Sequence, residues 1–406
     1  MTPCPDWLTG FDLRALAPEF YRDPYPYYAA LREHDPARRM PDGSVLLTRY
    51  ADCLQVYKDP VTFSSDKKAE FFPKYGASPL FEHHTTSLVF NDPPLHTRVR
   101  KLIIGALSQR AVDSMQVGLI ALVDRLLDDM AARQHVDLIE HFAAAIPIEI
   151  IGNLLGVPHD EREPLRDWSL AILGALEPAL NAEQLARGNR AVSEFTEYLR
   201  GLVADRRARP GDPATDVLTR LIVGEPNGER LSESELLQNC IFILNAGHET
   251  TTNLIGNALH ALTLWPDQRS LLTNEPALIK TAIEEFLRFE SSNQLGNRMS
   301  TADSVIGGVA LPANTRITLC IGAANRDPAQ FVDPDRLDIT RQHNRHLAFG
   351  SGTHQCAGLA VARLEGIIAV GRFLKRFPNY AIDHDRAQRG GRARFRGFLA
   401  LPATQL

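Results

Sequence analysis

The chain has 406 residues, 44% of them hydrophobic, and a net charge of -5; with no basic stripe, this excludes nucleic acid as the main partner and leaves ample material for a core. Its five cysteines, Cys4, Cys53, Cys240, Cys320 and Cys356, are odd in number, widely spaced and without a CxxC, which argues against a disulfide scaffold and suits a reducing cytoplasm. Met1 to Trp7 show no charged region followed by an apolar stretch, so neither a signal peptide nor a membrane anchor is expected.

In chain order, Gly43 to Tyr50 reads as a short strand. Asp66 to Leu88 mixes Phe71, Phe72, Tyr75 and Phe81 with Lys67, Lys68, Lys74, His83 and His84. It reads as a charged mobile loop, although those bases could attract a carboxylate. In Asp92-Pro93-Pro94-Leu95-His96-Thr97-Arg98-Val99-Arg100 the prolines open a helix, and His96 and Arg100, four apart, share one side of it. From Ala111 helical periodicity dominates, with apolar residues at three and four spacing through Met115, Leu119, Leu122, Val123, Leu126 and Leu127. Pro210-Gly211-Asp212-Pro213 and Gly224-Glu225-Pro226-Asn227-Gly228 are turns between helices.

Ser232-x-x-Glu235 is a capping box, and no proline interrupts the apolar-rich stretch after it until Pro266. This predicts one helix of roughly 50 Å at 1.5 Å per residue. Its middle, Ala246-Gly247-His248-Glu249-Thr250-Thr251, is locally weak, since glycine costs about 1 kcal/mol relative to alanine. A glycine there admits another group, and a threonine hydroxyl can bond back one turn, so both would make room for a small ligand. By itself the segment could be only a threonine-rich kink. It is not a metalloprotease helix, because His-Glu-x-x-His needs a histidine where Thr252 stands.

Glu285 and Arg288, three apart, are neighbours on a helical face. Val305 to Leu319, broken by Gly307-Gly308 and Pro312-Ala313-Asn314, reads as hairpin material. Then comes Phe349-Gly350-Ser351-Gly352-Thr353-His354-Gln355-Cys356-Ala357-Gly358. Gly352 and Gly358 permit φ > 0 turns that bring backbone N–H groups around the Cys356 sulfur. A zinc site would need a second ligand pair, and none stands at finger spacing. A nucleophilic cysteine with His354 as its base remains open at this level.

Phe349-x-x-Gly352-x-His354-x-Cys356-x-Gly358, Ala246-Gly247-x-Glu249-Thr250, Glu285-x-x-Arg288 and His96-x-x-x-Arg100 occur in the order typical of the cytochrome P450 family, which this chain closely resembles. The resemblance implies a mainly α fold with a small β portion, a single domain over residues 1–406 built around a long central oxygen-binding helix. It implies haem b (iron protoporphyrin IX) with Cys356 as the thiolate ligand to iron, in the setting of Phe349 and Gly358. His96, Arg100, Arg298 and His354 are then expected at the two propionates. Ala246 and Gly247 are expected beside the oxygen site, with Glu249 and Thr250 delivering protons there. Glu285, Arg288 and Arg336 are expected to form a buried charged triad, with Leu337 where the family usually has an aromatic residue.

The reaction so implied is insertion of one atom of O2 into a small to medium, largely apolar organic substrate. No Gly-x-Gly-x-x-Gly follows a strand, so a separate ferredoxin or flavodoxin with its NAD(P)H-dependent reductase is expected. Arg345, Arg363, Arg372, Lys375 and Arg376 could form its docking face or simply a solvated one. By resemblance the substrate is walled by Asp66 to Leu88, Trp168 to Leu185, the central helix, Ser291 to Asn297 and Phe395 to Leu399; Leu244, Leu295 and Phe398 add to its apolar character. The rivals are a peroxide-using peroxygenase, which the Glu249-Thr250 pair argues against, and a haem protein that only binds gas.

Overall fold

In the computed structural model, which describes residues 4–225 and 228–406, the axis of the molecule is the helix Glu233–Leu264. Pro226 and Asn227 of the expected turn lie outside the described residues. The capping box forms: Ser232 Oγ accepts from the Glu235 N–H at 3.2 Å, and the Glu235 carboxylate accepts from the Ser232 N–H at 2.8 Å. Over 32 residues the helix runs about 48 Å. It ends at Trp265, where Pro266 begins the next helix, Pro266–Asn274. Most of its side chains are buried, because Ala145–Leu155, Glu163–Gly174, Ala182–Ala208 and Leu359–Arg376 all pack on it. A helix apolar all round has to be a core helix.

The helix Gln109–Ala131 begins at Ser108, and Leu119, Leu122, Val123 and Leu127 of the predicted stripe are buried. Earlier helices escape periodicity because they are short and broken by prolines or charges. Lys68–Tyr75 contains Pro73, and Pro79–Thr86 starts on Ser78, whose side chain accepts from the Phe81 N–H. These two helices replace the expected mobile loop. Phe71, Tyr75 and Leu80 enter the main core; Lys67 is 1% exposed and donates to Glu70 at 2.8 Å; His83 and His84 are both buried.

The main sheet has five strands in the spatial order Ala37–Arg39, Val45–Leu47, Arg316–Cys320, Leu295–Ser300, Phe63–Ser64. Only Val45–Leu47 with Arg316–Cys320 is parallel. The expected strand at Gly43 to Tyr50 is thus shorter, and Tyr50 already begins the helix Tyr50–Lys58. The expected hairpin is Ser304–Ile306 with Val309–Leu311, turned by Gly307 and Gly308 at positive φ, while Arg316–Cys320 joins the main sheet. Short C-terminal strands form two further small sheets, one of them completed by Val136–Asp137. Among the described residues no helix is long and apolar enough to cross a membrane.

Replacing Ser232 by alanine strands the Glu235 N–H and should cost about 1 kcal/mol. Urea unfolding of parent, Ser232→Ala and Ser232→Thr checks this, with the threonine variant keeping most of the parent's stability.

Candidate active site

The cysteine loop is shaped by backbone hydrogen bonds. The Cys356 N–H donates to the Phe349 carbonyl at 2.9 Å, and the Gly350 N–H donates to that of Leu347 at 2.8 Å. Gly350 and Gly352 have φ of 62° and 68°. A Cβ on Gly352 would collide with the Tyr57 carbonyl, so glycine is required there twice over. Gly358 differs from expectation: its φ is -93°, and it serves as the N-cap of Leu359–Arg376 with its N–H on the Cys356 sulfur. Burial pushes the Cys356 thiol up, while that N–H and the charges of Arg100 and Arg363 oppose the rise. Arg363 lies over the Phe349 ring at 5.0 Å and grips Glu284 with bonds of 2.7 and 2.8 Å. His346 reaches the same carboxylate at 3.2 Å.

Beside this loop, His96, Arg100, Arg298 and His354 converge as the resemblance implied. The His96 and His354 rings lie 3.9 Å apart between centroids. Both His96 ring nitrogens and Nε2 of His354 are buried without a hydrogen-bond partner. Burial, then the charge of Arg100, pushes His96 down to about 4; burial, then Arg298, His96 and Arg100, pushes His354 down to about 2. Arg298 donates to the Asn297 carbonyl at 2.7 Å and stacks near Tyr57. The nearest acid, Asp92, is occupied by the Ser64 hydroxyl and the Ser65 N–H. Two arginines with no ion pair among the described residues, beside neutral imidazoles with unpartnered ring nitrogens, suit an anion that accepts from all of them.

Across the core, Thr250 Oγ1 donates back to the Ala246 carbonyl at 2.7 Å, and Ser292 Oγ donates to the Thr250 carbonyl at 2.8 Å. Ala246 is exposed in the middle of a buried helix. A Cβ on Gly247 would sit 2.7 Å from Ile151 Cδ1, so the glycine also gives clearance to the helix Ala145–Leu155. Glu249 is 3% exposed and pairs with Arg392, whose Nη1 donates at 3.0 Å. Burial raises the Glu249 pKa and Arg392 works against the rise. Nothing in the sequence singled out Arg392, because a partner 143 residues away leaves no local pattern. Among the described residues no group of His, Cys, Asp and Glu could hold a metal ion, so the zinc reading finds no support.

The charged triad needs correction. Glu285 and Arg288 are fully buried and joined by two bonds of 2.8 Å. The third member is Arg341, whose Nε donates to Glu285 at 3.1 and 3.2 Å. Arg336 is exposed and contributes only its carbonyl, which accepts from Arg288 at 3.1 Å. The turn that aims this carbonyl inward sends the Arg336 side chain to solvent. Asn344 and the Asp338 N–H complete the carboxylate's shell.

A cavity of about 400 Å³ opens between Lys67 to Lys74, Leu176 and Pro178, the strands at Leu295 and Thr318, and Arg394. Of the expected apolar lining, Phe71 and Leu295 are there, whereas Leu244 and Phe398 belong to the core and Phe72 is mostly exposed. Segments near Leu13 and Met40 also line it, which was not foreseen.

The family model for cytochrome P450 matches residues 45–388. The chain is a cytochrome P450. It is 40% identical to cytochrome P450 107B1 of Saccharopolyspora erythraea, with 91% of each chain covered. It is 39% identical to the vitamin D(3) 25-hydroxylase of Pseudonocardia autotrophica, covering 89% of this chain and 88% of that one. Among solved structures it resembles P450BioI in complex with acyl carrier protein ligated to hexadec-9Z-enoic acid, at a TM-score of 0.89 and 33% identity over 96% and 100% of the two chains. The cytochrome P450 is therefore a monooxygenase whose cofactor is haem b. Its residues fit that group: two propionates would answer the four bases that lack an anion, beside a thiol held by a Gly358 N–H. The proximal cations are mostly spoken for, since Arg363, Arg372 and Arg376 pair with Glu284, Asp124 and Asp128. Arg345 and Lys375 remain exposed on that face.

The corrected triad is directly testable. Arg341→Gln should destabilise the protein by about 1.5 to 3 kcal/mol by removing charged hydrogen bonds from a buried carboxylate, whereas Arg336→Gln should stay within about 0.5 kcal/mol of the parent. Thermal and urea melts of the two variants decide.

Proposed function

We propose that this cytochrome P450 acts in the cytoplasm, where its unpaired cysteines stay reduced, and oxidises an extended, largely apolar organic molecule with O2 and two electrons from a separate ferredoxin-type protein. The observation that carries this reading is that Thr250 and buried Glu249 stand side by side within one turn of Ala246, the residue left exposed in the middle of the central helix. Haem b, when bound, supplies the redox-active iron for the two-electron reduction of dioxygen. We assign Cys356 as its thiolate ligand, His96, Arg100, Arg298 and His354 as propionate partners, and Ala246 with Gly247 as the helix face beside it.

Thr250 already spends its proton on the Ala246 carbonyl, which leaves its oxygen lone pairs to accept from a donor beside the helix. Glu249 is poised between burial, which favours its neutral form, and Arg392, which favours the ionised one. A carboxyl balanced in this way can take a proton and release it within an apolar setting. The apolar walls at Phe71, Phe90, Leu176 and Leu295 suit a chain or fused-ring guest. Similar proteins are named for vitamin D(3) and for a hexadecenoic acid carried on protein, which supports an extended guest.

Thr250→Ala should bind substrate with an unchanged dissociation constant yet yield less product per nicotinamide oxidised and more peroxide, because the lost group acts only after substrate is bound. The product-to-nicotinamide ratio, with a reconstituted ferredoxin system, measures this. An unaltered ratio and rate would favour the peroxygenase reading instead. Cys356→Ser should lose the thiolate-type absorption band of the reduced, carbon monoxide-bound protein, since a hydroxyl is a far poorer anionic ligand.

A further inference from the structure

The cavity bounded by Phe71, Phe90, Leu176 and Leu295 has an unbalanced wall. Most of its charges answer one another: Arg14 pairs with Asp12, Arg316 with Asp42, and Lys67 with Glu70, at 2.7, 3.0 and 2.8 Å. Lys74 and Arg394 are the two lining cations left without a carboxylate within 4 Å among the described residues. Lys74 donates only to the Glu177 carbonyl, at 2.8 Å. Arg394 donates to the Leu176 and Leu295 carbonyls and to Asn297 Oδ1, at 3.3, 2.8 and 2.8 Å.

An ammonium has three N–H donors and a guanidinium five, so each cation keeps two N–H groups unspent. Of the acids facing Lys74, Glu70 holds Lys67, while Glu177 accepts from the Ala393 and Arg394 N–H groups through Oε2 and keeps Oε1 without a partner, so it offsets only part of the Lys74 charge. Burial, followed by repulsion from Arg394, lowers Lys74 to about 8, a penalty that an anion between the two would relieve. The cavity and Arg298 share the strand Leu295–Ser300, with Asn297 on the cavity side.

We infer that Lys74 and Arg394 form a carboxylate-binding subsite for the substrate. It takes an amphipathic acid whose apolar chain lies along Phe71, Phe90 and Leu295 and whose carboxylate bridges the ammonium and the guanidinium. The subsite rests on the reading of an extended apolar guest and narrows it to acids.

The test uses the ferric haem-loaded enzyme and three probes of equal chain length: tetradecanoate, its methyl ester and 1-tetradecanol. Dissociation constants come from the shift in haem spin state, with calorimetry as a second readout. The parent should bind the acid about ten-fold more tightly than the neutral probes, as expected for one charge-assisted pair. Lys74→Gln should weaken the acid about ten-fold and leave the alcohol unmoved, and Lys74→Arg should restore the preference. Arg394→Gln should behave like Lys74→Gln; because Arg394 also ties the strand to Leu176, Lys74→Gln decides if that variant fails to fold. Equal binding of acid and alcohol by the parent, or an unchanged acid constant in Lys74→Gln, overturns the subsite while leaving the apolar guest standing. If none of the three probes binds, the reading of an extended guest falls, and the subsite with it.

Discussion

The buried carboxylate of Glu285 is the constraint around which the cysteine side of this protein is assembled. A charge with no exposure must be answered from every side, because stranding it costs several kcal/mol. Arg288, Arg341, Asn344 and the Asp338 N–H answer it. Arg288 is then itself a buried charge, and it takes the carbonyls of Asn325, Pro334 and Arg336. Asn325 in turn holds the Leu347 N–H at 2.7 Å, which sets where the cysteine loop begins. The neighbouring Glu284 works from the other side: burial opposes its ionisation, yet His346 and Arg363 outweigh this and hold it down at about 2. Arg363 leans on Phe349. Two adjacent carboxylates on one helix thus fix the loop from both flanks.

The opposite side depends on a short C-terminal run of arginines, each reaching a different element. Arg389 meets Asn257 of the central helix at 3.2 Å, and Arg392 meets Glu249. Arg394 spans the Leu295 strand and the Leu176 segment, and Arg396 takes Glu290 together with the carbonyls of Tyr21 and Arg22. The chain bends at Ala393 and Arg394, so these side chains leave one short segment in different directions and cross-link the N-terminus, the sheet and the central helix. Arg392 and Arg394 thereby tie Glu249 to the wall of the cavity two residues on.

What could be read in the sequence was whatever the chemistry concentrates locally. The capping box, the glycine-rich cysteine loop and the i, i+3 pair of Glu285 and Arg288 are short-range patterns, and all three formed. Choices made across distance were hidden. Arg336 and Arg341 are both arginines downstream of the clamp, and only the turn between them decides which side chain reaches Glu285. Gly247 is equally legible as a ligand groove or as clearance for Ile151, since a missing Cβ does not say which neighbour needs the space. The helices Lys68–Tyr75 and Pro79–Thr86 were hidden by their own charges and prolines. Their burial is decided by Phe90 and by the central helix, which lie elsewhere in the chain.

Several buried arginines elsewhere in this protein are answered from within the chain. Arg162 has Glu149, Asn153 and the Val157 carbonyl; Arg326 has Asp335, with the Phe289 carbonyl and the Tyr25 ring on its other sides. Against that habit, unanswered bases are informative, because an interior that satisfies its cations at such cost in arrangement does not leave some of them idle without a reason. Among the described residues they include the His96, Arg100, Arg298 and His354 cluster and the pair Lys74 and Arg394, besides the isolated rings of His248 and His84. The first faces the cysteine loop and suits a dianion, so the cofactor completes the fold electrostatically as well as chemically. The second lines a cavity that opens past the N-terminal segment. A guest anchored there by its charge would be held at one end only, leaving its apolar remainder to decide which carbon lies nearest the oxygen site. Regioselectivity would then be set by chain length measured from a fixed anion.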